Sequence, residues 1–275
     1  MKNQKVDNRG YFLGVDIGNT HSVIGLFEAK LLIDSWRIQT RPEATGDELR
    51  ALLSSFLQEH ALNIHDIETV VMSSVVPPAA ETWTDMADKQ PGLTCIDAHQ
   101  MAMHIINIKY PRPHEIGTDR LINSIAAFKR LERACIVIDY GTATTFDCVS
   151  ENGEYLGGAI APGLLLAAKT LFTNTSKLPM IHFPKDKIGP LGTSTETAMQ
   201  AGLLYGFAGL TDNIVSRLSR TFGQDPAVIA TGGLSSVLFQ YCNTIDELLP
   251  ELTMEGLAHC YEYYRSQCGL QGIHK

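Results

Sequence analysis

An α/β fold of two related halves is predicted by three observations. A hairpin pattern with an acid ahead of a Gly/Thr turn occurs twice, as Asp16-x-Gly18-x-Thr20 and as Asp139-x-Gly141 followed by Thr142 and Thr144. Short apolar runs rich in β-branched residues alternate with stretches of helical periodicity. The 275 residues exceed a usual single domain, and self-similarity on that scale points to a duplicated unit rather than a solenoid of short repeats.

From Tyr11 to Phe27 the chain reads as strand, polar turn and strand, with Asp16 at the turn's entrance. A third strand is expected over Leu32–Ile38. A helix is expected from Gly46 to Leu62, where Asp47 and Glu48 open the first turn and Leu49, Leu52, Leu53, Phe56 and Leu57 share one face. Thr69–Val76 reads as a buried strand stopped by Pro77 and Pro78, and Thr94–Ile96 as another short strand. After the prolines of Tyr110–Pro113, apolar Leu121, Ile122, Ile125, Ala126 and Phe128 mark a helix from about Thr118, with Asp119 and Arg120 in its first turn.

The pattern restarts at Ala134 with three strands through Gly163. Helices are then expected over Leu164–Phe172 and Glu196–Leu218, on either side of a loop carrying Pro179, Pro184 and Pro190. A strand over Ala227–Ala230 runs into Thr231-Gly232-Gly233, and a helix is expected over Met254–Tyr264. The halves are expected to divide as 1–133 and 134–275.

Hydrophobic residues make up 44% of the chain and charged residues 19%, a globular composition. The net charge of -8 has the wrong sign for a general nucleic-acid or anionic-membrane surface. No apolar run is long enough to span a bilayer, and no secretory core follows the polar start, so a cytoplasmic protein is expected. Six cysteines without a C-x-x-C pair read as free thiols. The pairs His60/His65 and His99/His104 have the wrong spacing for two ligands on one helix face, and no zinc site is assigned.

Acid-bearing Gly/Thr hairpins suit a polyphosphate. Glycine lets the backbone approach the anion, and threonine hydroxyls with exposed N–H groups donate to it. Carboxylates cannot bind phosphate directly, but they suit Mg²⁺, which keeps several waters and takes one or two carboxylates alongside phosphate oxygens. That chemistry is phosphoryl transfer. A single D-x-G-x-T is equally an ordinary turn; the duplication favours the functional reading. Neither G-x-x-x-x-G-K-[ST] nor G-x-G-x-x-G occurs.

Asp16-Ile17-Gly18-Asn19-Thr20-His21-Ser22, Gly117-Thr118-Asp119-Arg120, Asp139-Tyr140-Gly141-Thr142-Ala143-Thr144-Thr145, Gly157-Gly158-Ala159-Ile160-Ala161-Pro162-Gly163 and Thr231-Gly232-Gly233 span nearly the whole chain. In order and spacing the chain resembles the type III pantothenate kinases of the acetate kinase, sugar kinase, Hsp70 and actin superfamily. The resemblance implies two ribonuclease H-like halves, each a mixed sheet flanked by helices, with the active site in the cleft between them. It implies ATP-dependent phosphorylation of pantothenate to 4'-phosphopantothenate, the first step of coenzyme A biosynthesis, by a homodimer using Mg²⁺ and a monovalent cation, K⁺ or NH₄⁺.

By the same resemblance, Asp16, Ile17, Gly18, Asn19, Thr20, His21, Ser22 and Val23 form the first phosphate loop, with Asp16 close to Mg²⁺ through water. Thr142 contacts ATP and Asp139 helps bind the monovalent cation. Tyr110, Gly117, Thr118, Asp119, Arg120 and Thr195 line pantothenate, and Asp119 is the proton acceptor. Elementary chemistry agrees for two of them: a carboxylate orients an attacking alcohol and accepts its proton, and a guanidinium fork at a helix N-terminus matches a substrate carboxylate.

Taken alone, Asp119 and Arg120 read as a solvated helix start, Tyr110 as a core-edge aromatic, Thr195 as a helix cap and Thr231-Gly232-Gly233 as common turn chemistry. Thr118 stands where the family more often has alanine, a position at which it caps the helix, and about ten residues precede the first strand as an expected mobile end. The rival readings are another kinase or a phosphatase of the superfamily, and a non-catalytic regulatory protein.

Overall fold

The computed structural model describes residues 10–222 and 225–271; the extension over residues 1–9 lies outside the described part. In chain order the first strands are β1 (Tyr11–Ile17), β2 (His21–Glu28) and β3 (Leu31–Gln39). They are followed by α1 (Gly46–Gln58), β4 (Ile67–Ser74), α2 (Pro77–Asp88), β5 (Thr94–Asp97), α3 (Ala98–Ile105), β6 (Asn107–Ile108) and α4 (Thr118–Leu131). The second set is β7 (Cys135–Tyr140), β8 (Ala143–Val149), β9 (Glu154–Pro162), α5 (Leu164–Thr173), α6 (Thr195–Ser219), β10 (Ala227–Thr231), α7 (Ser235–Phe239), β11 (Glu247–Leu248) and α8 (Leu252–Gln271).

Two sheets repeat one topology. The first runs β3-β2-β1-β4-β5 and the second β11-β10-β7-β8-β9-β6. In each, an antiparallel three-strand meander is joined by parallel strands beside its first member: β4 along β1, and β10 along β7. The duplicated hairpin motif is therefore a duplicated sheet, with β6 added at one edge.

The chain divides into two compact units. The first holds Met1–Ile105, Gly117–Ile122 and Met254–Lys275, and the second Ile106–Ile116 and Asn123–Thr253. Chain order had set the boundary at 133/134, yet the C-terminal helix counts with the first unit. There the Gly14 and Gly25 backbones leave room for Leu257 and Met254, and Tyr261 stacks on Phe12 at 3.9 Å between ring centres. The opposite face of the first sheet packs Leu13, Val15, Ile17, Ile24 and Leu26 against Leu49, Leu53 and Leu57 of α1 and Trp83 of α2. Burying each such side chain contributes about 1.5–3 kcal/mol before entropy is subtracted.

Pro77 and Pro78 do not simply end a strand, as the sequence reading had it. They occupy the first turn of α2, where a missing N–H leaves no bond unmade. In the second unit, Ile136, Ile138, Phe146 and Cys148 meet Leu204, Phe207 and Val215 of α6, while Val137 and Val149 meet Ala126 and Ala127 of α4 on the other face. All six cysteines are free thiols. Among the described residues no helix is long and apolar enough to cross a membrane.

Candidate active site

The first acid hairpin is braced from behind. The Gly18 N–H donates to the His21 carbonyl at 3.1 Å and closes the turn, while Thr40 at the end of β3 donates from its hydroxyl to the Gly18 carbonyl at 2.7 Å. The Ser22 and Thr40 hydroxyls share a buried 2.8 Å bond, and the Thr40 N–H donates to the Thr20 carbonyl. Ile17 and Ser22 are buried by this bracing, Gly18 and Val23 are half-buried, and Asn19, Thr20 and His21 remain exposed. The loop thus offers a fixed backbone and open side chains.

Asp16 lies on the sheet face opposite the α1/α2 core, because strand side chains alternate and Val15 and Ile17 point into that core. Ser73, its register partner on β4, donates a 2.9 Å hydrogen bond to its Oδ1. Desolvation raises the Asp16 pKa from 3.8 to about 7, and the negative charge of Asp119 adds to the rise; Ser73 and Arg37 oppose it. Asp119 is itself raised by desolvation, against the Arg120 N–H, which donates to its Oδ1 at 2.9 Å, and the Arg120 charge. The Asp119 charge thus disfavours ionisation of Asp16, and a dication beside this coupled pair would relieve it.

Gly117 precedes α4 and its carbonyl accepts from the Leu121 N–H at 3.3 Å, which puts Gly117 at the cap position. Thr118 is the first helical residue and is buried, so it does not cap the helix as the sequence reading had it. Asp119 and Arg120 are half-buried in the first turn, beside oriented N–H groups.

The second hairpin belongs to the other unit. Asp139 is half-buried, and the Asn123 side-chain amide donates to its Oδ2 at 3.4 Å. Thr231 is its register partner on β10, and Gly232 follows in the left-handed region at φ 90°, where a Cβ would come within 2.3 Å of Asp139 Oδ1. Glycine is required there by both conformation and space. Asn123 Oδ1 and Thr231 Oγ1 are buried without a hydrogen-bond partner. Two orphaned oxygens flanking a carboxylate are a donor set suited to a hard monovalent cation.

Thr142 is exposed in the turn after β7. The end of β9 passes directly behind it: a Cβ at Gly163 would lie 2.3 Å from the Thr142 carbonyl oxygen. Tyr110 is 36% exposed and lays its ring over Gly157, within 3.2 Å of where a Cβ would stand. Thr195 is exposed as the first residue of α6. The cap is its neighbour Ser194, whose hydroxyl accepts from the Thr197 N–H, so the cap reading of Thr195 fails by one residue.

Sequence reasoning missed Ser73, Asn123 and the hydroxyl of Thr231 as neighbours of the acids. Ser73 and Thr231 occupy matching register positions beside Asp16 and Asp139, a signal recoverable only by pairing the strands. Among the described residues no group of three or more His, Cys, Asp or Glu could hold a metal ion. A cavity of about 1060 Å³ beside the start of β10 and one of about 420 Å³ behind Thr40 are lined by none of Asp16, Asp119 or Asp139.

A family model for type III pantothenate kinase matches residues 12–217. The type III pantothenate kinase of Syntrophotalea carbinolica is 41% identical over 249 residues, covering 90% of this chain and 97% of its own length. That of Bacillus cytotoxicus is 38% identical, covering 90% and 94%. Among solved structures, a Campylobacter jejuni protein assigned to the Baf family of transcriptional activators aligns with a TM-score of 0.56 at 19% identity, over 93% of this chain and all of that one. Component A of the Acidaminococcus fermentans (R)-2-hydroxyglutaryl-CoA dehydratase aligns at 0.54 and 16%, over 94% and 99%. These structures share the fold, a mixed α/β architecture of two sheets flanked by helices. With duplicated sheets, acid hairpins and sequence identity in agreement, the chain belongs to the type III pantothenate kinase family.

Proposed function

We infer that the chain transfers the γ-phosphoryl group of ATP to the primary alcohol of pantothenate, giving 4'-phosphopantothenate and opening coenzyme A biosynthesis. Family membership supports the reaction, and the coupled carboxylates Asp16 and Asp119 are the observation that carries its chemistry. Asp119 orients the alcohol and accepts its proton as the new O–P bond forms and the bond to the ADP leaving group breaks. Its raised pKa makes it a stronger base than an ordinary aspartate. Arg120 holds the pantothenate carboxylate with a planar fork, helped by the start of α4. Tyr110, Gly117, Thr118 and Thr195 complete the pantothenate contacts.

The loop from Asp16 to Val23 holds the ATP phosphates with backbone N–H groups and the exposed Thr20 hydroxyl, and Thr142 contacts the nucleotide in the second unit. Asp16 would hold Mg²⁺ through water, and Asp139, with the orphaned oxygens of Asn123 and Thr231, would hold K⁺ or NH₄⁺. When bound, these ions supply charge neutralisation for the phosphates. A cytoplasmic homodimer without nucleic-acid or membrane partners completes the reading. Exposed Ile160, Leu165, Leu166 and Phe172 on β9 and α5 supply apolar surface of the kind an oligomer covers.

The test is direct detection of phosphorylated pantothenate from ATP and Mg²⁺, with and without K⁺ or NH₄⁺. Product that depends on the monovalent cation supports the kinase and the Asp139 assignment together. Cation-independent product keeps the kinase and removes that assignment, and ATP binding without transfer overturns pantothenate as acceptor.

A further inference from the structure

A row of side chains crosses the first sheet at the level of Asp16. Ser73 on β4 pairs with Asp16 on β1, Asp16 with Val23 on β2, and Val23 with Arg37 on β3. Residues in such a row share one face. The assignment is independent of pairing alone, because Trp36 and Ile38, the neighbours of Arg37, pack with the core on the opposite face. Arg37 therefore rises from the Asp16 face two strands away, about 10 Å at the usual strand spacing. Only half-buried Val23 stands between them.

Arg37 is exposed, and no carboxylate forms an ion pair with it among the described residues. Two other arginines of the same unit are engaged, Arg41 with Glu43 and Glu48, and Arg265 with Glu68. Arg37 nevertheless lies within electrostatic reach of Asp16. In the second sheet the equivalent row runs Thr231, Asp139, Thr145 and Ile160, so the fourth position there is an exposed isoleucine. A positive charge at this point is a property of the first hairpin alone.

We propose that Arg37 is a catalytic residue of the first unit, its guanidinium binding the γ-phosphate of ATP above Asp16 and stabilising the transferred phosphoryl group. The planar fork matches two phosphoryl oxygens, which a carboxylate at the same site cannot contact. The residue sits on an edge strand, where a charge also discourages strand pairing. That second role is blind to nucleotide, and the two are separable. The proposal rests on the kinase reading for its reaction but not for its binding chemistry.

The experiment compares wild type, Arg37→Gln and Arg37→Lys in two assays, binding of ADP and of a non-hydrolysable ATP analogue, and turnover with pantothenate, with Tm as a folding control. Arg37→Gln is expected to lower kcat about 10²–10³-fold. It is also expected to weaken the ATP analogue while leaving ADP within about two-fold, with Arg37→Lys falling between. Equal weakening of both nucleotides, or no change in either with kcat intact, overturns the proposal. Loss of the γ-phosphate preference in Arg37→Gln supports it even if pantothenate proves not to be the acceptor.

Discussion

Asp16 and Asp139 stand at matching points of two sheets that share one topology, yet their surroundings differ in kind. Asp16 has Ser73 donating to it, a second carboxylate in electrostatic reach and a guanidinium further along the row. Asp139 has a side-chain amide, a buried hydroxyl and a glycine cleared for its carboxylate, with an isoleucine further along. The first hairpin gathers charges of both signs, which suits the proton and phosphoryl transfer proposed for it. The second has an amide donor and an orphaned hydroxyl beside its acid, which suits the ion-holding role proposed for it. One sheet topology occurs twice, and the different residues at its matching register positions suit the two roles proposed.

The largest test of that division is Asp119→Asn. Removing the base is expected to lower kcat about 10²–10⁴-fold with ATP affinity nearly unchanged, because the phosphate loop is untouched. It also removes one of the charges that raise Asp16, so the acid limb of the residual pH–rate profile is expected to move to lower pH. Steady-state kinetics from pH 5 to pH 9 read both effects, and unchanged turnover excludes Asp119 as proton acceptor.

A smaller effect follows from Asp16 itself. With its pKa near 7 in the folded chain against the usual 3.8, the folded state keeps a proton between about pH 4 and pH 7 that the unfolded chain has released. Stability therefore falls as pH rises through that window, and the penalty is complete above it. Asp16→Asn is expected to raise Tm by a few degrees at pH 8 in the absence of nucleotide and to leave it unchanged near pH 4. Asp16 keeps some contact with water, which holds the effect to this size. A gain independent of pH contradicts the charge-coupled environment assigned to the first hairpin.

Much of the fold is legible in the sequence, because hairpins with Gly/Thr turns and amphipathic helices such as α1 and α4 are encoded within a few residues. The hidden parts are those set by distant partners. The start of α2 was concealed by prolines that both end a strand and begin a helix. The C-terminal helix was placed by chain order with the second half, although glycines at positions 14 and 25, more than two hundred residues earlier, make room for it. Ser73, Thr231 and Arg37 carry no motif. They become site neighbours once strands are paired, and period-2 alternation then fixes the face on which each stands.

The finest distinction concerns two adjacent residues of the second unit. Ser194 caps α6 through a reciprocal pair of bonds with Thr197, whereas Thr195 is exposed at the first helical position. Ser194→Ala is expected to cost about 1 kcal/mol of stability and to leave the KM for pantothenate unchanged where the helix start stays ordered. Thr195→Val is expected to raise that KM about five- to ten-fold, the loss of a hydrogen bond worth roughly 1–1.5 kcal/mol, without moving Tm. Paired denaturation curves and pantothenate titrations separate the two roles. If Thr195→Val lowers Tm and spares KM, the hydroxyl belongs to the helix and not to the substrate, and the recognition assigned to the second unit loses that contact.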